Sequence, residues 1–316
     1  MKYAFIVNPA SGQGRHGNGL IPRIEKLIKD NPGKDIQIVY TRCEKDAIVQ
    51  AEKLARENAG DIAVFACGGD GTVQEVVNGL YGYDNAILGI IPVGSGNDFV
   101  RALGGGLKQG KKFNDMQAQL TAPIKRVDLI KMTWMENGEE KSHICDNGIN
   151  IGFDGNTCIS AHEFKKLPLV SGTGAYIVGV AVNLIEKNGE NLTITADGKE
   201  VFNGPMLLAT VGNGGFCGGG FESCPRADLS DGLLELLIVN DMTRRKFITL
   251  VPKYKAGKIF DIKNPGNKIF TYCQAKEIVI KPNAAPSMKF VADGEIFETG
   301  EIKLEVLEQA MRVLYL

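Results

Sequence analysis

No stretch of the chain is both long and apolar enough to read as a membrane span. The longest uncharged run, Leu167 to Ile185, has 19 residues, close to the roughly 20 a bilayer needs, but it holds Pro168, Ser171, Gly172, Thr173, Gly174, Gly179 and Asn183. It is expected to be a buried or interfacial helix. No two cysteines are spaced CxxC. The seven present (Cys43, Cys67, Cys145, Cys158, Cys217, Cys224, Cys273) are odd in number and scattered, which excludes a disulfide framework and a structural zinc site and fits a reducing cytosol. The strand-like start, Met1 to Val7, has no basic n-region and no small-residue cleavage site, so no signal peptide is read. An excess of one charge is missing too: 36 Lys plus Arg against 37 Asp plus Glu leave a net charge of −1, so no global field draws in nucleic acid and any basic patch must be local. The three histidines, His16, His143 and His162, lack the partner spacing of metal or triad chemistry.

What is present is a globular composition, 44% hydrophobic and 23% charged, over 316 residues, enough for two domains at roughly 150 each. In the first part, apolar runs (Ala4 to Val7, Ile62 to Ala66, Ile87 to Ile91) alternate with helical spacings (Leu20, Ile24, Leu27; Ala47, Ala51, Leu54; Val73, Val76, Val77, Leu80). That is the pattern of βαβ crossovers and a parallel sheet covered on both faces, and it predicts an α/β domain over 1–122. Beyond Pro123 the period shortens. Strand-like segments recur near 127–134, 143–150, 192–195, 206–211, 233–239, 277–280 and 289–291, with Asn137-Gly138 and Asp197-Gly198 as hairpin turns. Helical stretches interrupt near 157–166, 175–187 and 243–255. The second domain, 123–316, is therefore expected to be a β-sandwich-like domain with helices.

Glycine is the outlier at 39 residues, and it clusters after strands. Gly12-Gln13-Gly14-Arg15-His16-Gly17 matches GxGxxG, but Asn8-Pro9-Ala10-Ser11 intervenes after the strand, and the second strand ends in Tyr40-Thr41-Arg42 without an acidic ribose ligand. Arg42 would suit a 2′-phosphate, which keeps an NADP-dependent oxidoreductase open. Cys67-Gly68-Gly69-Asp70-Gly71-Thr72 ends the third strand ahead of a helix: its glycines allow backbone to approach phosphate oxygens, and Asp70 can act through Mg²⁺. A third loop, Gly94-Ser95-Gly96-Asn97-Asp98-Phe99, follows the fourth strand. Loops at the carboxyl ends of neighbouring parallel strands converge on one crevice, and the absence of GxxxxGK[ST] excludes a P-loop enzyme.

Together with Asp231-Gly232-Leu233 and Asp293-Gly294-Glu295, these motifs resemble the catalytic domain of the diacylglycerol kinase family, most closely its soluble bacterial lipid kinases, across essentially the whole chain. NAD kinases share GGDGT and a related two-domain fold. The resemblance implies an NAD kinase/diacylglycerol kinase-like fold, with an N-terminal nucleotide domain and a C-terminal domain for the lipid acceptor and the membrane. It further implies that Gly68, Gly69, Asp70, Gly71, Thr72, Val73 and Gln74 wrap the ATP phosphates. Thr41 and Ser95 would be hydroxyl contacts, and Asn8, Ser11 and Gly12 would line the other side. Asp70 and Asp98 would join a water and Mg²⁺ network, with Asp128 either a further member or a strand-end ion pair. Asp231, with the backbone carbonyls of Asp228 and Leu233, would hold a structural Mg²⁺. Asp293 and Glu295 are the candidates for the base near the attacking hydroxyl.

From Arg244 to Lys268, eight basic residues stand against one acid, a local charge of +7 interleaved with Phe247, Ile248, Leu250, Val251, Tyr254, Ile259 and Phe260. Lys165 and Lys166 precede the uncharged run. These segments, with Arg244 and Arg245, suit an anionic membrane surface. The expectation is a cytoplasmic enzyme, peripherally held at the inner face of the membrane, that uses ATP and Mg²⁺ to phosphorylate diacylglycerol. Other acceptors (sphingoid bases, phosphatidylglycerol), NAD kinase activity and a homodimer stay open.

Overall fold

The computed structural model describes residues 1–9, 17–104, 110–153, 155–156 and 189–316. Ser11, Gly12, Lys165 and Lys166, the motif from Gly12 to His16, the run 167–185 and the helices expected at 157–166 and 175–187 lie outside the described residues. The chain forms two compact units: Met1–Leu129 with Glu308–Leu316, and Ile130–Leu307.

In the first unit, β1 (Lys2–Val7), β2 (Ile36–Tyr40), β3 (Ile62–Gly68) and β4 (Ala86–Pro92) form a parallel sheet in the order β4-β3-β1-β2. The crossovers are α1 (Gly17–Asp30), α2 (Asp46–Glu57) and α3 (Asp70–Leu80), with α4 (Asp98–Gly104) and α5 (Met116–Gln119) after β4. β3 is buried at every residue because helices cover both faces. Phe5 and Phe65 stack at 4.3 Å in one cluster with Leu20, Ile24 and Leu27 of α1. On α3, Gly79 is required by close approach: a Cβ there would stand 2.3 Å from the Ile48 carbonyl and 2.8 Å from Ala51 Cβ of α2. Gly79→Val is expected to lower stability by about 3 kcal/mol, since two helix backbones must part, and a shifted urea midpoint checks it.

The second unit is antiparallel. Its strands are β6 (Glu139–Cys145), β7 (Gly148–Gly152), β8 (Glu190–Ala196), β9 (Lys199–Gly212), β10 (Leu234–Asn240), β11 (Phe270–Ala275), β12 (Glu277–Pro282), β13 (Met288–Ala292) and β14 (Glu295–Thr299), plus parts of β5 (Ile124–Glu136) and β15 (Ile302–Leu314). They run β14-β13-β7-β9-β8-β12-β15, with β10 on β9, β11 on β10, and β6 on β5. Ile149, Ile151, Leu236, Ile278 and Phe290 pack in one apolar cluster, while Leu208, Leu237, Val239 and Phe270 pack in another under α6 (Arg244–Lys255). This is the sandwich-like arrangement expected. Asn137-Gly138 and Asp197-Gly198 make two-residue hairpins with both φ angles positive, as does Asp293-Gly294 (φ 45° and 87°).

Two expectations differ from what is found. The segment 143–150 is not one strand: β6 stops at Cys145 and β7 starts at Gly148, because the backbone N–H groups between them turn to a side chain described below. The units divide at 129/130 instead of 122/123, and the last nine residues rejoin the first unit. Asp128, fully buried, accepts from the Gln309 backbone N–H at 2.6 Å, and Arg126 donates to the Gln309 carbonyl at 3.0 Å. Asp128 thus holds the left-handed Gln309 (φ 50°) of β15, while the ion-pair partner of Arg126 is Asp84.

Further along β15, Arg312 makes a bidentate pair with Asp61 at 2.9 Å and donates to the Asp84 carbonyl. The guanidinium holds the Asp61 carboxyl below its usual range. A depressed carboxylate contributes stability above the unfolded-state pKa, near 4, that is lost as pH falls through the folded value. Arg312→Met is therefore expected to destabilise by about 1 kcal/mol at pH 7, the pair being half-exposed, and the difference should shrink below pH 4. Urea midpoints of both proteins at pH 7 and pH 3 measure it.

Candidate active site

The four parallel strands end level with one another: Val7 pairs with Cys67 and Tyr40, and Gly68 with Pro92. Asn8, Thr41, Gly69 and Gly94 therefore emerge along one carboxyl edge, where open α/β sheets take ligands. The Asn8 N–H reaches the Cys67 carbonyl at 3.4 Å, and the Thr41 N–H reaches the Val7 carbonyl at 3.1 Å. A cavity of about 400 Å³ opens at this edge between Leu20 and Arg23 of α1, Pro92 and Gly94.

Two glycine loops meet there. Asp70, first residue of α3, turns its carboxylate onto the next loop: Oδ2 accepts from the Asn97 N–H at 2.8 Å, and Oδ1 accepts from the Asp98 N–H at 2.7 Å. The second loop hangs from the first by two charge-assisted bonds. Glycine is needed at the contact, since a Cβ on Gly94 would lie 2.6 Å from Gly69 Cα and one on Gly96 would lie 2.3 Å from Asp70 Oδ2. Thr72 packs back over Gly68; Thr72, Val73 and Gln74 are buried, whereas Ser95 is exposed. Gly69 and Gly71, with no side chain of their own, leave backbone N–H groups at the start of α3 approachable by an anion.

In the second unit the Asp293-Gly294 turn carries a carboxylate engaged by three successive N–H groups. Asp293 Oδ2 accepts from Asp146 at 2.6 Å, Oδ1 accepts from Gly148 at 2.7 Å, and the Asn147 N–H lies 3.2 Å from Oδ1 and 3.4 Å from Oδ2. The Asp293 N–H in turn donates to the Gly148 carbonyl. Fully buried Asn213 fixes the loop from behind: its Nδ2 donates to the Asp146 carbonyl at 2.9 Å and its N–H to the Asn147 carbonyl at 2.8 Å. Glu295, two residues on, is half-buried. Burial pushes the Cys145 thiol well up, and Asp293, Asp146 and Glu295 add to the push. Asp146, Asn147 and Asn213 were not among the residues singled out from sequence.

Asp228, Asp231 and Leu233 lie on one exposed turn. Asp228 Oδ1 accepts from the Ser230 N–H and hydroxyl at 3.0 and 2.8 Å, and Asp231 Oδ1 accepts from the Leu233 N–H at 3.0 Å. Two carboxylates beside backbone carbonyls are a donor set that a hard cation takes. Among the described residues no group of three or more His, Cys, Asp or Glu side chains gathers as a metal site, so such a cation would draw on backbone oxygens.

Helix α6 is seated by Phe247 and Tyr254, both buried, with Phe247 set edge-on to Phe153 at 4.8 Å. Outward it exposes Arg245, Lys246, Ile248, Lys253 and Lys255, and beyond it Lys258, Phe260, Lys263 and Lys268 are exposed as well. No helix among the described residues is long and apolar enough to cross a membrane.

Residues 2–132 match the Diacylglycerol kinase catalytic domain, and residues 148–315 match the YegS C-terminal NAD kinase beta sandwich-like domain. The chain is 30% identical to a diacylglycerol kinase of Bacillus subtilis over 93% of its length and 90% of the relative's. It is 26% identical to one of Mycobacterium tuberculosis over 99% and 94%. A Pseudomonas aeruginosa chain described as "Probable lipid kinase YegS-like" is 28% identical over 89% and 85%. A crystal structure of a diacylglycerol kinase from Bacillus anthracis superposes with a TM-score of 0.69 at 25% identity, covering 100% of this chain and 97% of that one. The resemblance read from the motifs and the fold class both stand.

Proposed function

The chain belongs to the diacylglycerol kinase family, and from that membership we propose that it transfers the γ-phosphoryl group of ATP to the free hydroxyl of diacylglycerol, giving phosphatidic acid and ADP. The observation that carries this reading is the pair of glycine loops joined by Asp70 at the carboxyl edge of the parallel sheet. Phosphoryl transfer asks a protein chiefly for positioning and charge stabilisation. Backbone N–H groups of Gly69 to Gly71 are suited to the triphosphate, with Ser95 and Thr41 on the neighbouring loops of the same carboxyl edge as hydroxyl contacts. Mg²⁺ bound with ATP supplies neutralisation of the phosphate charge. In the reaction the γ-phosphorus loses its bond to the β-phosphate bridging oxygen and gains one to the lipid oxygen. The hydroxyl proton passes to a carboxylate, for which Asp293 and Glu295 are the candidates. A structural Mg²⁺ would be held by Asp231 with the carbonyls of Asp228 and Leu233.

The acceptor is a membrane lipid, and α6 supports an anionic bilayer as the place where the enzyme meets it. Arg244, Arg245 and Lys246 open the helix, against the preference of a helix start for negative charge, and no acid stands in the first turn. A pattern that opposes its own helix dipole points to an external anion.

Transfer from labelled ATP with Mg²⁺ tests the function, with diacylglycerol in anionic mixed micelles, NAD in a parallel tube, and Asp70→Ala as control. Label in the organic phase, lost in the variant, supports the reading. Label in NADP moves the activity to NAD kinase. Label in neither sinks diacylglycerol as acceptor and sends the assay to sphingoid bases and phosphatidylglycerol.

A further inference from the structure

Resting on that reading, we infer that the cationic face formed by Arg226 and α6 is a site for the phosphate monoester headgroup of phosphatidic acid in a bilayer, so that the product of the reaction recruits the enzyme that makes it. Diacylglycerol is uncharged, and a cationic face gains nothing from it. A phosphate monoester carries about −1.5 to −2 charges near neutral pH. Each turnover converts a headgroup this face ignores into one it holds.

Arg226 gives the face its shape. Its guanidinium carbon stands 3.9 Å from the centre of the Phe260 ring and 5.9 Å from that of Tyr272, and the two rings meet edge to face at 4.9 Å. The side chain is exposed, and among the described residues no hydrogen bond or ion pair engages its guanidinium. Seated on aromatic rings, it has given up rotamer freedom without giving any of its five N–H donors to an oxygen. Glu235, which senses its charge, is buried beside Tyr272 and accepts from Gln274 at 2.8 Å.

The neighbouring cations are fixed in the same manner. Lys255 Nζ lies 5.2 Å over the Phe221 ring, and Lys253 Nζ donates to the main-chain carbonyl of Asp261 at 3.1 Å, not to its carboxylate. Glu222 is tucked beneath Gly257, where a Cβ would stand 2.5 Å from its carboxyl carbon, and takes no cation either. Elsewhere exposed cations do find acids: Lys26 with Asp30, Arg56 with Glu52, Lys303 with Glu277. Here acids are within the same surface and are left aside, which keeps the positive charge for an anion from outside. Lys258 and Lys263 flank the turn Ile259–Asp261 that bears Phe260, so more than one charge stands beside the guanidinium fork. A fork takes two oxygens of one phosphate, and a monoester presents three free oxygens where a phosphodiester presents two.

Sedimentation of the full chain with phosphatidylcholine vesicles that carry either phosphatidic acid or phosphatidylglycerol, matched in surface charge, reads this site without turnover. Affinity is expected to be about 10-fold higher for phosphatidic acid. Arg226→Lys keeps the charge and loses the fork, so that preference should fall to about 2-fold or less while binding to phosphatidylglycerol is unchanged. Phe260→Leu, which removes the ring beneath the guanidinium, should lower the preference too. Equal affinity of the unaltered protein for the two vesicles, a full preference in both variants, or displacement by soluble glycerol phosphate would overturn the proposal. On vesicles of phosphatidylcholine and diacylglycerol, progress curves should show a lag that added phosphatidic acid abolishes and that lengthens in Arg226→Lys; a linear onset would refute recruitment by product. A chain that prefers phosphatidic acid yet phosphorylates no lipid would leave the headgroup site standing and refute the functional reading instead.

Discussion

Asp70→Asn is expected to lower kcat/KM by about 10²- to 10³-fold while leaving the secondary structure intact. The aspartate accepts one N–H on each oxygen, from Asn97 and from Asp98. The isosteric amide keeps one acceptor and turns an NH₂ donor onto the other N–H. Each bond to a charged acceptor contributes about 1.5–3 kcal/mol, and the donor–donor contact adds repulsion, so a loss near 3–4 kcal/mol in holding the second loop follows. Gly96 sits tight against the same oxygen, and Gly94 against Gly69, so the loops cannot slide to compensate. Steady-state kinetics with MgATP varied, alongside circular dichroism, measures the effect. An Asp70→Asn enzyme with ordinary kcat/KM would mean that the two loops hold each other without the carboxylate and that its charge plays no part in binding MgATP.

Much of this arrangement was legible in the chain. Alternation of apolar runs with helical spacings gives the parallel sheet, because only a strand covered on both faces is apolar throughout, as β3 is. The glycine loops were visible because close backbone approach excludes side chains, and that requirement writes itself as Gly68, Gly69, Gly94 and Gly96. The partner of the loop at 146–148 was not, for a physical reason: the groups that engage Asp293 there are backbone N–H groups some 145 residues away, and a backbone donor is supplied by any residue but proline. The break itself had a signal, since Asp146-Asn147-Gly148 carries the same Asn-Gly turn dipeptide as Asn137-Gly138 between apolar Ile144, Cys145 and Ile149. Asn213 was missed similarly, as its bonds are to carbonyls. The domain boundary left a fainter trace. In β5 the buried apolar residues change phase from Val127 and Leu129 to Ile130 and Met132, and in β15 from Ile302 and Leu304 to Met311 and Val313. A one-residue slip moves side chains to the other face, and both slips fall where the chain passes between units, the second at the left-handed Gln309.

Reversing three charges at the start of α6, Arg244→Glu, Arg245→Glu and Lys246→Glu together, is expected to weaken binding to vesicles rich in anionic lipid by at least 10²-fold. Each Lys or Arg near such a surface contributes about 1 kcal/mol, so removal of three is worth about 3 kcal/mol, and the new negative charges add repulsion. Folding should not suffer, because α6 is held by Phe247 and Tyr254 from beneath and by its Thr243 cap, and Glu in a first helical turn improves the fit to the helix dipole. The variant should therefore melt at or slightly above the temperature of the unaltered protein. Exposed Ile248 and Phe260 supply an apolar contribution that salt does not screen, so binding of the unaltered protein should fall steeply as sodium chloride rises from 0.1 to about 1 M, where the Debye length shrinks from about 10 to 3 Å, yet not to zero. Ile248→Ser with Phe260→Ser should remove that residue of binding. Turnover of a dispersed short-chain diacylglycerol should survive the charge reversal while turnover at anionic vesicles is lost, separating docking from chemistry. Equal sedimentation of both proteins with anionic vesicles would exclude α6 as the docking surface and would leave the unfavourable charges at its start to be explained by some other anion.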